Sequence, residues 1–542
     1  MIQVFNTLTR RKEPFTPLVP GEVGLYVCGV TPYDDCHIGH LMGPVLFDAV
    51  ARWLRARGNR VRFVNNITDI DDKIINRANA TGESWQDISR RYTDQYFTFL
   101  KRLRIATVTD HPRCTEFIPQ MIAYISDLIG RDRAYVAADG VYYDVQKQDG
   151  YGKLSGRRLD EMISGSRVER SSGLRHPADF ALWKLAKAGE PSWESPWGAG
   201  RPGWHIECSV MSRETLGGSF DIHGGGDDLK FPHHENEIAQ GEAHGDAYAR
   251  CWMHNGLIQY EGVKVGKSDP RMKDPAFAGR FKAGFLVDTY GAATIRFLIL
   301  QGHYRRPNEF AEKAIIAART ALGRLHRQLG ASLDQAPTDS GGEAEALAAA
   351  LAASVPPSIA AHREAFVAAM DDDFGTGSAI ACLFGMVSDI QKLPAQEAAA
   401  SLRLVRDLGR LIGIFQPGDA ADTTSSAEVA PASLSDIMAL VLHLRQHARA
   451  QRAFATSDRI RAALTEAGVA VKDAKDGATW EMTGPAETAM ARVMELVIAL
   501  RQQARADKDF AASDRIRDAL AGAGIALTDG PAGTTWGAAA KG

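Results

Sequence analysis

Two histidines one helical turn apart form the first pattern with recognisable chemistry. They lie in Cys36-His37-Ile38-Gly39-His40, between a short apolar run and a segment with helical apolar periodicity. A helix N-terminus presents backbone N–H groups and the positive end of the helix dipole, both of which favour an anion. With Gly39 leaving room for close approach, His37 and His40 suit a phosphate. A pair of ordinary surface histidines is the alternative interpretation of so short a motif.

A loop with two lysines follows a strand-like run at Gly262 to Ser268. Lys264, Lys267 and Ser268 bring two positive charges and a hydroxyl close together, which suits a pyrophosphate. A solvated loop with no ligand is the alternative.

Thiols, imidazoles and a carboxylate provide a third set of functional groups. Pro232 is a good first residue of a helix, and His233 and Glu237 then stand at i and i+4 on one helical face. With Cys28 and Cys208 they make a sulfur, sulfur, nitrogen and oxygen set of the kind that Zn²⁺ prefers. From spacing alone, His234 or His223 would serve as well as His233.

The elements that position these residues read as alternating strands and helices. Residues 24–29 form a short apolar run, 37–57 carry a helical pattern that Gly58 ends, and 61–64 form the next strand. Strand, helix and strand at this spacing predict a βαβ unit in a parallel sheet. Further strands are predicted at 141–143, 220–222 and 256–260. The expected fold class is α/β, with a Rossmann-like catalytic domain that carries an insertion.

The character of the chain changes after about residue 308. Long Ala- and Leu-rich periodic runs at 309–329, 359–393 and 397–414 predict an all-α helical bundle. Two α+β modules follow, in which residues from Arg445 to Trp480 recur at an offset of 56 as Arg501 to Trp536. Each copy is predicted to contain two short helices, then a strand and a turn that ends in Trp. The predicted divisions are 1–307 catalytic, with an insertion at about 120–195 and a connecting segment at about 260–307, 308–415 bundle, 416–433 linker, and modules over 434–482 and 490–537.

Composition excludes several classes of protein. The 542 residues carry a net charge of −3, which excludes a generic polycation that coats nucleic acid but permits a local RNA-binding surface. From Ser433 onward, 14 basic residues nearly balance 13 acidic ones. Six cysteines without regular spacing argue against a disulfide scaffold and favour a reducing cytoplasm. No apolar run approaches the length of a membrane span, so a soluble protein without a membrane partner is expected.

Many strings in order resemble the cysteinyl-tRNA synthetases, a family of class I aminoacyl-tRNA synthetases. They cover nearly the whole chain: LYVCGVTPYDDCHIGH (25–40), FVNNITDIDDKIINRA (63–78), PGWHIECSVMS (202–212), FDIHGGGDDLKFPHHENEIAQ (220–240), WMHNGLI (252–258), MDDDFGT (370–376) and the two FAxSDRIRxAL copies. The resemblance implies that ATP and cysteine form cysteinyl adenylate, and that cysteine then passes to the terminal adenosine of tRNA-Cys.

The resemblance also implies roles for particular residues. His37, His40 and Lys267 would be catalytic, and Cys28, Cys208, His233 and Glu237 would hold one Zn²⁺ that selects the substrate thiol. The family therefore selects His233 over its neighbours. Thr68 and Trp204 would contact substrate cysteine. ATP, with Mg²⁺, would be bound by His37, Gly39, His40, Gly225, Asp228, Lys264, Lys267 and Ser268. A monomer is expected.

Two features depart from the family pattern. Val265 and Gly266 stand where the family usually has Met and Ser, so the loop keeps its charge but gains flexibility, and residues 269–290 run longer than expected. The family normally ends with one anticodon-reading module, whereas this chain has two. The second copy extends the RNA contact or serves in packing.

Two competing functions share parts of this pattern. A related ligase that joins cysteine to an amino sugar has the nucleotide and zinc sites but lacks the long bundle and the C-terminal modules. A non-catalytic tRNA-binding paralogue is supported only by the altered loop. The intact histidines, Lys267 and all four candidate ligands argue against it.

Overall fold

A computed structural model describes residues 1–159, 173–266, 269–330, 333, 342–419, 434–450, 454–474, 477–483, 486–507, 509–510, 513–514, 516–517, 520, 525–530 and 533–538. The chain divides into two compact units, Met1–Thr424 and Ser425–Gly542. Each unit is described by itself.

The first unit begins with a small hairpin and then the predicted βαβ unit. The elements are β1 (Gln3–Asn6), β2 (Arg11–Pro14), β3 (Glu22–Val30), α1 (Ile38–Ala56) and β4 (Arg60–Ile67). Strands β3 and β4 pair in parallel, with Leu25 opposite Phe63, so this prediction is confirmed. Helix α1 buries an apolar face that includes Leu41, Val45 and Trp53. Gly58, with φ of 86°, follows its end, a conformation that costs glycine little.

A second, antiparallel sheet follows along the chain. After α2 (Asp72–Thr81), α3 (Trp85–Arg102) and α4 (Ile118–Gly130) come β5 (Ala134–Ala137), β6 (Gly140–Tyr143), β7 (Phe180–Leu185) and β8 (Gly200–Pro202). These four strands pair in sequence order, each antiparallel to the next. Local pairing of consecutive strands needs no crossover helix, which is why this part lacks the βαβ pattern.

The parallel sheet is completed by a second strand–helix–strand passage. Its elements are α5 (Trp204–Leu216), β9 (Ser219–Gly226), α6 (His233–His244) and β10 (Tyr248–Asn255). The strand order is β10-β9-β3-β4, with every pairing parallel. The chain therefore runs outward from the middle of the sheet in both directions. In such open sheets, ligands bind at the carboxyl ends of the strands where the order reverses, here between β3 and β9.

A connecting region leads from this sheet to the bundle. It contains β11 (Ile258–Tyr260), β12 (Val263–Lys264), α7 (Pro275–Gly279), α8 (Ala283–Tyr290), α9 (Ala292–Leu300) and β13 (Asn308–Glu309). The predicted strand at 256–260 begins only at Ile258. Gly256 lies against neighbouring backbone, where a Cβ would come within 2.1 Å of the carbonyl oxygen of Arg306.

The bundle differs from its prediction in two respects: a helix at Glu343–Ala352 was not predicted, and one predicted run is broken. Its helices are α10 (Glu312–Leu329), α11 (Glu343–Ala352), α12 (Pro357–Asp371), α13 (Thr376–Ile390) and α14 (Ala395–Leu411). The prediction of one continuous run over 359–393 is wrong, because the chain turns between α12 and α13, where Asp373 and Phe374 have φ of 61° and 51°. The buried Asp373 carboxylate accepts hydrogen bonds from the Tyr304 hydroxyl and the Phe5 backbone N–H, both at 2.8 Å. These hydrogen bonds from residues distant in sequence stabilise the turn between α12 and α13.

The second unit contains the duplicated modules. The first copy has α15 (Leu434–Ala450), α16 (Phe454–Glu466), β14 (Val469–Ala474) and β15 (Gly477–Met482), and the second has α17 (Ala486–Ala506), β16 (Ile525–Gly530) and β17 (Gly533–Ala538). Each copy ends in an antiparallel hairpin. The prediction of a strand and a Trp-ended turn is therefore wrong in detail, because Trp480 and Trp536 lie within second strands. The first helices are also longer than predicted. Most of the predicted linker, 420–433, lies outside the described residues.

Among the described residues, no single helix is long and apolar enough to cross a membrane. Helices α8 and α9 have the necessary length and composition only together, and a bend of 106° separates them.

Candidate active site

The paired histidines lie at the carboxyl end of β3, at the position where the sheet order reverses. His37 is the N-cap of α1, and its Nδ1 accepts a hydrogen bond from the Gly39 backbone N–H at 3.1 Å. The His37 and His40 rings stack, with centroids 3.7 Å apart. A Cβ on residue 39 would lie 2.9 Å from two atoms of the His37 ring. Glycine at this position therefore lets the imidazole fold over the start of the helix.

The backbone donors of the first turn are already engaged, which differs from the expectation of free N–H groups. Ile38 N–H donates to the Phe281 carbonyl and His40 N–H to the His37 carbonyl, both at 2.9 Å, while Gly39 N–H donates to the His37 ring. In this conformation, a phosphate at the start of α1 would meet imidazole groups rather than these backbone donors.

The base of the lysine loop is fixed by one carboxylate. Glu309 accepts hydrogen bonds from the backbone N–H groups of Glu261 and Gly262, both at 2.9 Å. Lys264 lies exposed on β12, opposite Gln259. The predicted catalytic Lys267 and the predicted ATP ligand Ser268 lie outside the described residues.

The segment after the loop, residues 269–283, returns to the start of α1. Arg271 donates hydrogen bonds from Nε and Nη2 to the Asp269 carboxylate and lies 4.8 Å from the Phe277 ring centroid. Ala283 N–H donates to the Cys36 carbonyl at 2.8 Å. Lys282 pairs with Asp35 at 2.7 Å, which lowers the pKa of that carboxyl. The longer segment noted in the sequence is thus joined to the residues next to the paired histidines.

A cluster of thiols, imidazoles and a carboxylate includes Cys28, which lies near the carboxyl end of β3. Cys28 on β3 has its Sγ 3.8 Å from Cys208 Sγ on α5 and 3.7 Å from Glu237 Oε1 on α6. His233 Nε2 lies 3.1 Å from the same Glu237 oxygen. One ligand atom from each of these four residues falls within 4.8 Å of every other, a spacing that fits a single metal ion. Two sulfurs, a nitrogen and an oxygen fit Zn²⁺.

The structure brings a second ligand set to the same place. Cys28, His223, His234 and Glu237 meet the same distance criterion. His234 Nε2 is 3.3 Å from Cys28 Sγ, and His223 Nε2 is 2.8 Å from Glu237 Oε2. Cys28 and Glu237 belong to both sets. The first set is completed by Cys208 and His233, and the second by His223 and His234.

Hydrogen bonds orient the possible ligands. His205 and His233 face each other through their Nδ1 atoms at 2.9 Å, and Tyr248 donates its hydroxyl proton to Glu237 Oε2 at 2.8 Å. His234 Nδ1 lies 2.8 Å from His254 Nε2. Such partners fix the rings and carboxylates that bind metals. Of these, Tyr248 and His254 were missed from sequence, because neither stands at a ligand spacing. The WMHNGLI string that contains His254 was the available signal.

The electrostatics of the cluster favour charged ligands at selected atoms. A hydrogen bond from Cys28 outweighs burial and lowers the pKa of the Cys208 thiol to about 6. Burial raises the pKa of Cys28. Burial also opposes ionisation of Glu237, but the nearby His223 and His233 bring the pKa of that carboxyl below its usual value. The Cys208 thiolate and the Glu237 carboxylate are thus the forms that attract a cation.

The predicted cysteine contacts lie next to the cluster. Trp204 stacks on His233, with ring centroids 4.3 Å apart, and is 36% exposed, so it covers one side of the cluster. Thr68 is buried, and its Oγ1 accepts a hydrogen bond from Asn66 Nδ2 at 3.3 Å. Asn66 Oδ1 in turn lies 3.9 Å from Cys208 Sγ.

Two predicted ATP residues lie at the end of β9. Gly225 is buried, and a Cβ there would come within 2.7 Å of the His234 ring. Gly225 therefore makes room for the histidine cluster. Asp228 is exposed in the turn between β9 and α6, where its carboxylate would meet a Cβ added to Gly226 at 2.6 Å.

Family models match three parts of the chain. Residues 14–320 match the class I (C) tRNA synthetase catalytic domain, 365–416 match the DALR domain, and 433–480 match the cysteinyl-tRNA ligase anticodon binding domain. The last match lies on the first of the two C-terminal copies. The fold is also similar to that of methionyl-tRNA synthetase from Mycobacterium tuberculosis bound by methionyl-adenylate, with a TM-score of 0.51 at 16% identity, over 74% of this chain and 93% of that one.

The catalytic domain is therefore that of a class I aminoacyl-tRNA synthetase. The cysteine–tRNA ligases of Pseudomonas paraeruginosa and Laribacter hongkongensis are both 43% identical to this chain over 89% of its length, covering 100% and 99% of their own. The chain belongs to the cysteine–tRNA ligase family, and the resemblance drawn from its sequence is confirmed.

Proposed function

We propose that the chain activates L-cysteine with ATP and transfers it to the terminal adenosine of tRNA-Cys. The observation that carries this proposal is the cluster of Cys28, Cys208, His233 and Glu237, in which Cys28 lies on β3, the strand that precedes the paired histidines. Family membership and the match to an anticodon binding domain support the same reaction. The helical and anticodon domains also disfavour an amino-sugar ligase.

The proposed first step joins the two substrates. A carboxylate oxygen of cysteine attacks the α-phosphorus of ATP, and the bond to the bridging oxygen breaks, releasing pyrophosphate. Because the reacting groups need no covalent help from the protein, catalysis consists of positioning and of stabilising developing charge. His37 and His40 donate hydrogen bonds to phosphate oxygens in this proposal. Lys264, Lys267 and Ser268 hold the departing pyrophosphate, and Gly39, Gly225 and Asp228 contact ATP, which enters with Mg²⁺.

The second step transfers cysteine to tRNA. A hydroxyl of the terminal adenosine attacks the carbonyl carbon of the adenylate, and the bond between that carbon and the phosphate oxygen breaks. AMP leaves with that oxygen, and the hydroxyl proton passes to the phosphate of the departing AMP. Thr68 and Trp204 contact the amino acid in both steps. The order of events requires that the adenylate stay bound until the tRNA end arrives.

Substrate selection is proposed to use Cys28, Cys208, His233 and Glu237. The two thiols, the imidazole and the carboxylate fit Zn²⁺ in type and spacing. Bound there, Zn²⁺ supplies a soft electrophilic position that accepts a thiolate far better than the hydroxyl of serine.

We also propose the domain boundaries of the enzyme, its cellular location and its oligomeric state. We assign 1–307 to catalysis, with an insertion at about 120–195 and the connecting segment at about 260–307, 308–415 to the bundle, 416–433 to a linker, and 434–482 and 490–537 to the modules. All six cysteines are free thiols, which supports a reducing cytoplasm. A monomer is proposed.

Charging of purified tRNA with labelled cysteine tests the function. Cysteine-specific charging of tRNA-Cys, with serine and an amino-sugar acceptor inactive, is the expected result. Adenylate formation followed by transfer to the amino sugar alone would favour the sugar ligase. Binding of tRNA with no cysteine-dependent turnover would favour the non-catalytic paralogue.

Replacing Gly39 by alanine is expected to lower cysteine-dependent exchange of pyrophosphate into ATP by about 10- to 100-fold. The new Cβ would lie 2.9 Å from two His37 ring atoms and displace the imidazole, and misplacement of about 1 Å at a reacting centre has costs of this size. Steady-state exchange kinetics measure the effect.

Gly43→Ala is the matched control in the same helix. Its Cβ would meet Asn255 Oδ1 at 3.8 Å, an ordinary contact, so activity should stay close to that of the parent. Equal losses in both variants would show that the helix, rather than the position of His37, sets the rate.

A further inference from the structure

The two C-terminal copies build one hydrophobic core. Residues of both copies belong to the same cluster of buried apolar side chains. In addition, Arg492 on α17 donates a hydrogen bond to the Glu466 carbonyl at the end of α16, at 2.6 Å. The second copy is thus an integral part of the C-terminal unit.

Six equivalent positions of the two copies are buried in both. Counting by the offset of 56, six core positions of the first copy are matched by a buried apolar residue among the described residues of the second. The pairs, all buried, are Ile437 and Val493, Met438 and Met494, Val441 and Val497, Ile460 and Ile516, Leu464 and Leu520, and Val469 and Ile525. Since the same positions face the core, the two copies share one fold.

The exposed positions are also identical, and packing does not account for that. Wherever the structure describes both equivalent side chains and both are exposed, the residue type is the same. These pairs are Gln446 and Gln502, Arg449 and Arg505, Phe454 and Phe510, Asp458 and Asp514, and Arg461 and Arg517. An exposed residue is free to change without loss of core. Arg517 pairs with Asp514 at 3.0 Å, which gives these two shared residues a local role. The exposed phenylalanine has no such role in packing, and a shared ligand is a physical reason to keep it.

The aromatic member of this set is the most informative. Phe454 is 59% exposed and Phe510 is 62% exposed, at the start of the second helical segment in each copy. Arg461 and Arg517 lie two helical turns further along the same face. An exposed aromatic ring with arginine nearby is the usual means by which proteins stack unpaired bases and contact the adjoining phosphates.

We propose that the second copy carries its own RNA-binding surface, equivalent to that of the first and made by Gln502, Arg505, Phe510 and Arg517. The first copy matches an anticodon binding domain, so the ligand class follows from that match together with the identical exposed residues. The RNA is a single-stranded loop with unstacked bases. This proposal rests on the proposed function, because that function makes the first copy an RNA-binding module.

The nearly neutral charge of the region constrains how the surface binds. With 14 basic and 13 acidic residues from Ser433 onward, non-specific attraction to the phosphate backbone is small. Binding then depends on stacking at Phe510, and its affinity should fall less steeply with salt than that of a basic patch. Duplex RNA, which offers no unstacked base, should bind weakly.

The test uses the full chain and the isolated anticodon stem–loop of tRNA-Cys in calorimetric titrations at physiological salt. Wild-type protein should bind two stem–loops, and Phe454→Ala or Phe510→Ala should each weaken one site by about tenfold or more. Because both rings are exposed, alanine should leave the fold unchanged, as circular dichroism will show. Gln503→Ala, an exposed change on α17 outside the shared set, should leave both sites intact.

The outcomes separate this proposal from the function of the enzyme. One stem–loop per wild-type chain, unchanged in Phe510→Ala, overturns the second surface even if tRNA-Cys is charged normally. Failure to charge tRNA-Cys overturns the proposed function, and the titration then decides the RNA surface by itself. Deletion of 490–542 would be a poorer test, since it removes half of the shared core.

Discussion

Replacing Cys208 by alanine should leave the purified protein without zinc and should lower its preference for cysteine over serine by about 10⁴-fold. Cys208 Sγ lies 3.8 Å from Cys28 Sγ and supplies the donor with the lowered thiol pKa. Losing one of four ligands weakens metal binding, and selection by thiolate coordination is lost with it. Metal content by atomic emission and the ratio of kcat/KM values for adenylate formation measure the two effects.

Two further variants show what the result means. Cys382→Ala changes a free cysteine in the bundle and should retain both metal and selectivity. His223 belongs only to the second possible ligand set, so His223→Gln should keep the metal if the proposed set holds it. Metal retained by Cys208→Ala and lost by His223→Gln would reverse the assignment.

Replacing Asp48 by asparagine should lower the free energy of unfolding of the first unit by about 3–5 kcal/mol. The Asp48 carboxylate is fully buried and is paired with Arg296, which is also buried, and with Arg52 at 2.8 Å. It also accepts a hydrogen bond from the Thr107 hydroxyl at 2.7 Å. In the variant, the buried Arg296 guanidinium keeps its positive charge, but residue 48 no longer carries a negative charge to pair with it. Urea unfolding followed by tryptophan fluorescence gives the difference.

The matched control is Asp288→Asn. Asp288 pairs with Arg102 at 2.7 Å, but both side chains are exposed, and such pairs contribute less than about 1 kcal/mol. A loss of similar size in both variants would show that burial does not determine the effect.

The Asp48 carboxylate also makes the free energy of unfolding depend on pH in the acidic range. Burial alone would raise the pKa of Asp48, but Arg296 and Arg52 hold it below its ordinary value. An aspartate whose pKa is lower in the folded state stabilises the fold above its unfolded pKa of about 3.9, and this contribution is lost as the pH falls below that value. The difference between wild type and Asp48→Asn should therefore shrink on titration below about pH 4.

Local patterns predicted those parts of the fold that local interactions determine. Strand β3, helix α1 and strand β4 follow from apolar periodicity and from Gly58. The break between α12 and α13 does not, because its sequence is helical in pattern and the turn is stabilised by Tyr304 and Phe5, which are distant in sequence. The Trp480 strand was also missed, because the interpretation ended each copy in a turn, whereas Trp480 pairs with Val471 in an antiparallel hairpin.

The site shows the same division between local and distant effects. Spacing placed His233 and Glu237 on one face of α6, but it could not choose between His233 and His234. That choice depends on which side of α6 faces Cys208. The packing of α5 against α6 is a tertiary contact, and the spacing of residues within α6 does not encode it. The hydrogen bond of Ile38 N–H was also unpredictable, because its acceptor, the Phe281 carbonyl, comes from a segment more than two hundred residues away.

The shared core of the C-terminal copies also affects how this part of the protein responds to dilution. If its two halves were separate chains, their folding would depend on protein concentration, and the core would come apart at low expression levels. Because one backbone joins them, each half meets the other at a high effective concentration set by the connecting chain. The C-terminal unit should therefore have the same melting temperature at nanomolar and at micromolar protein.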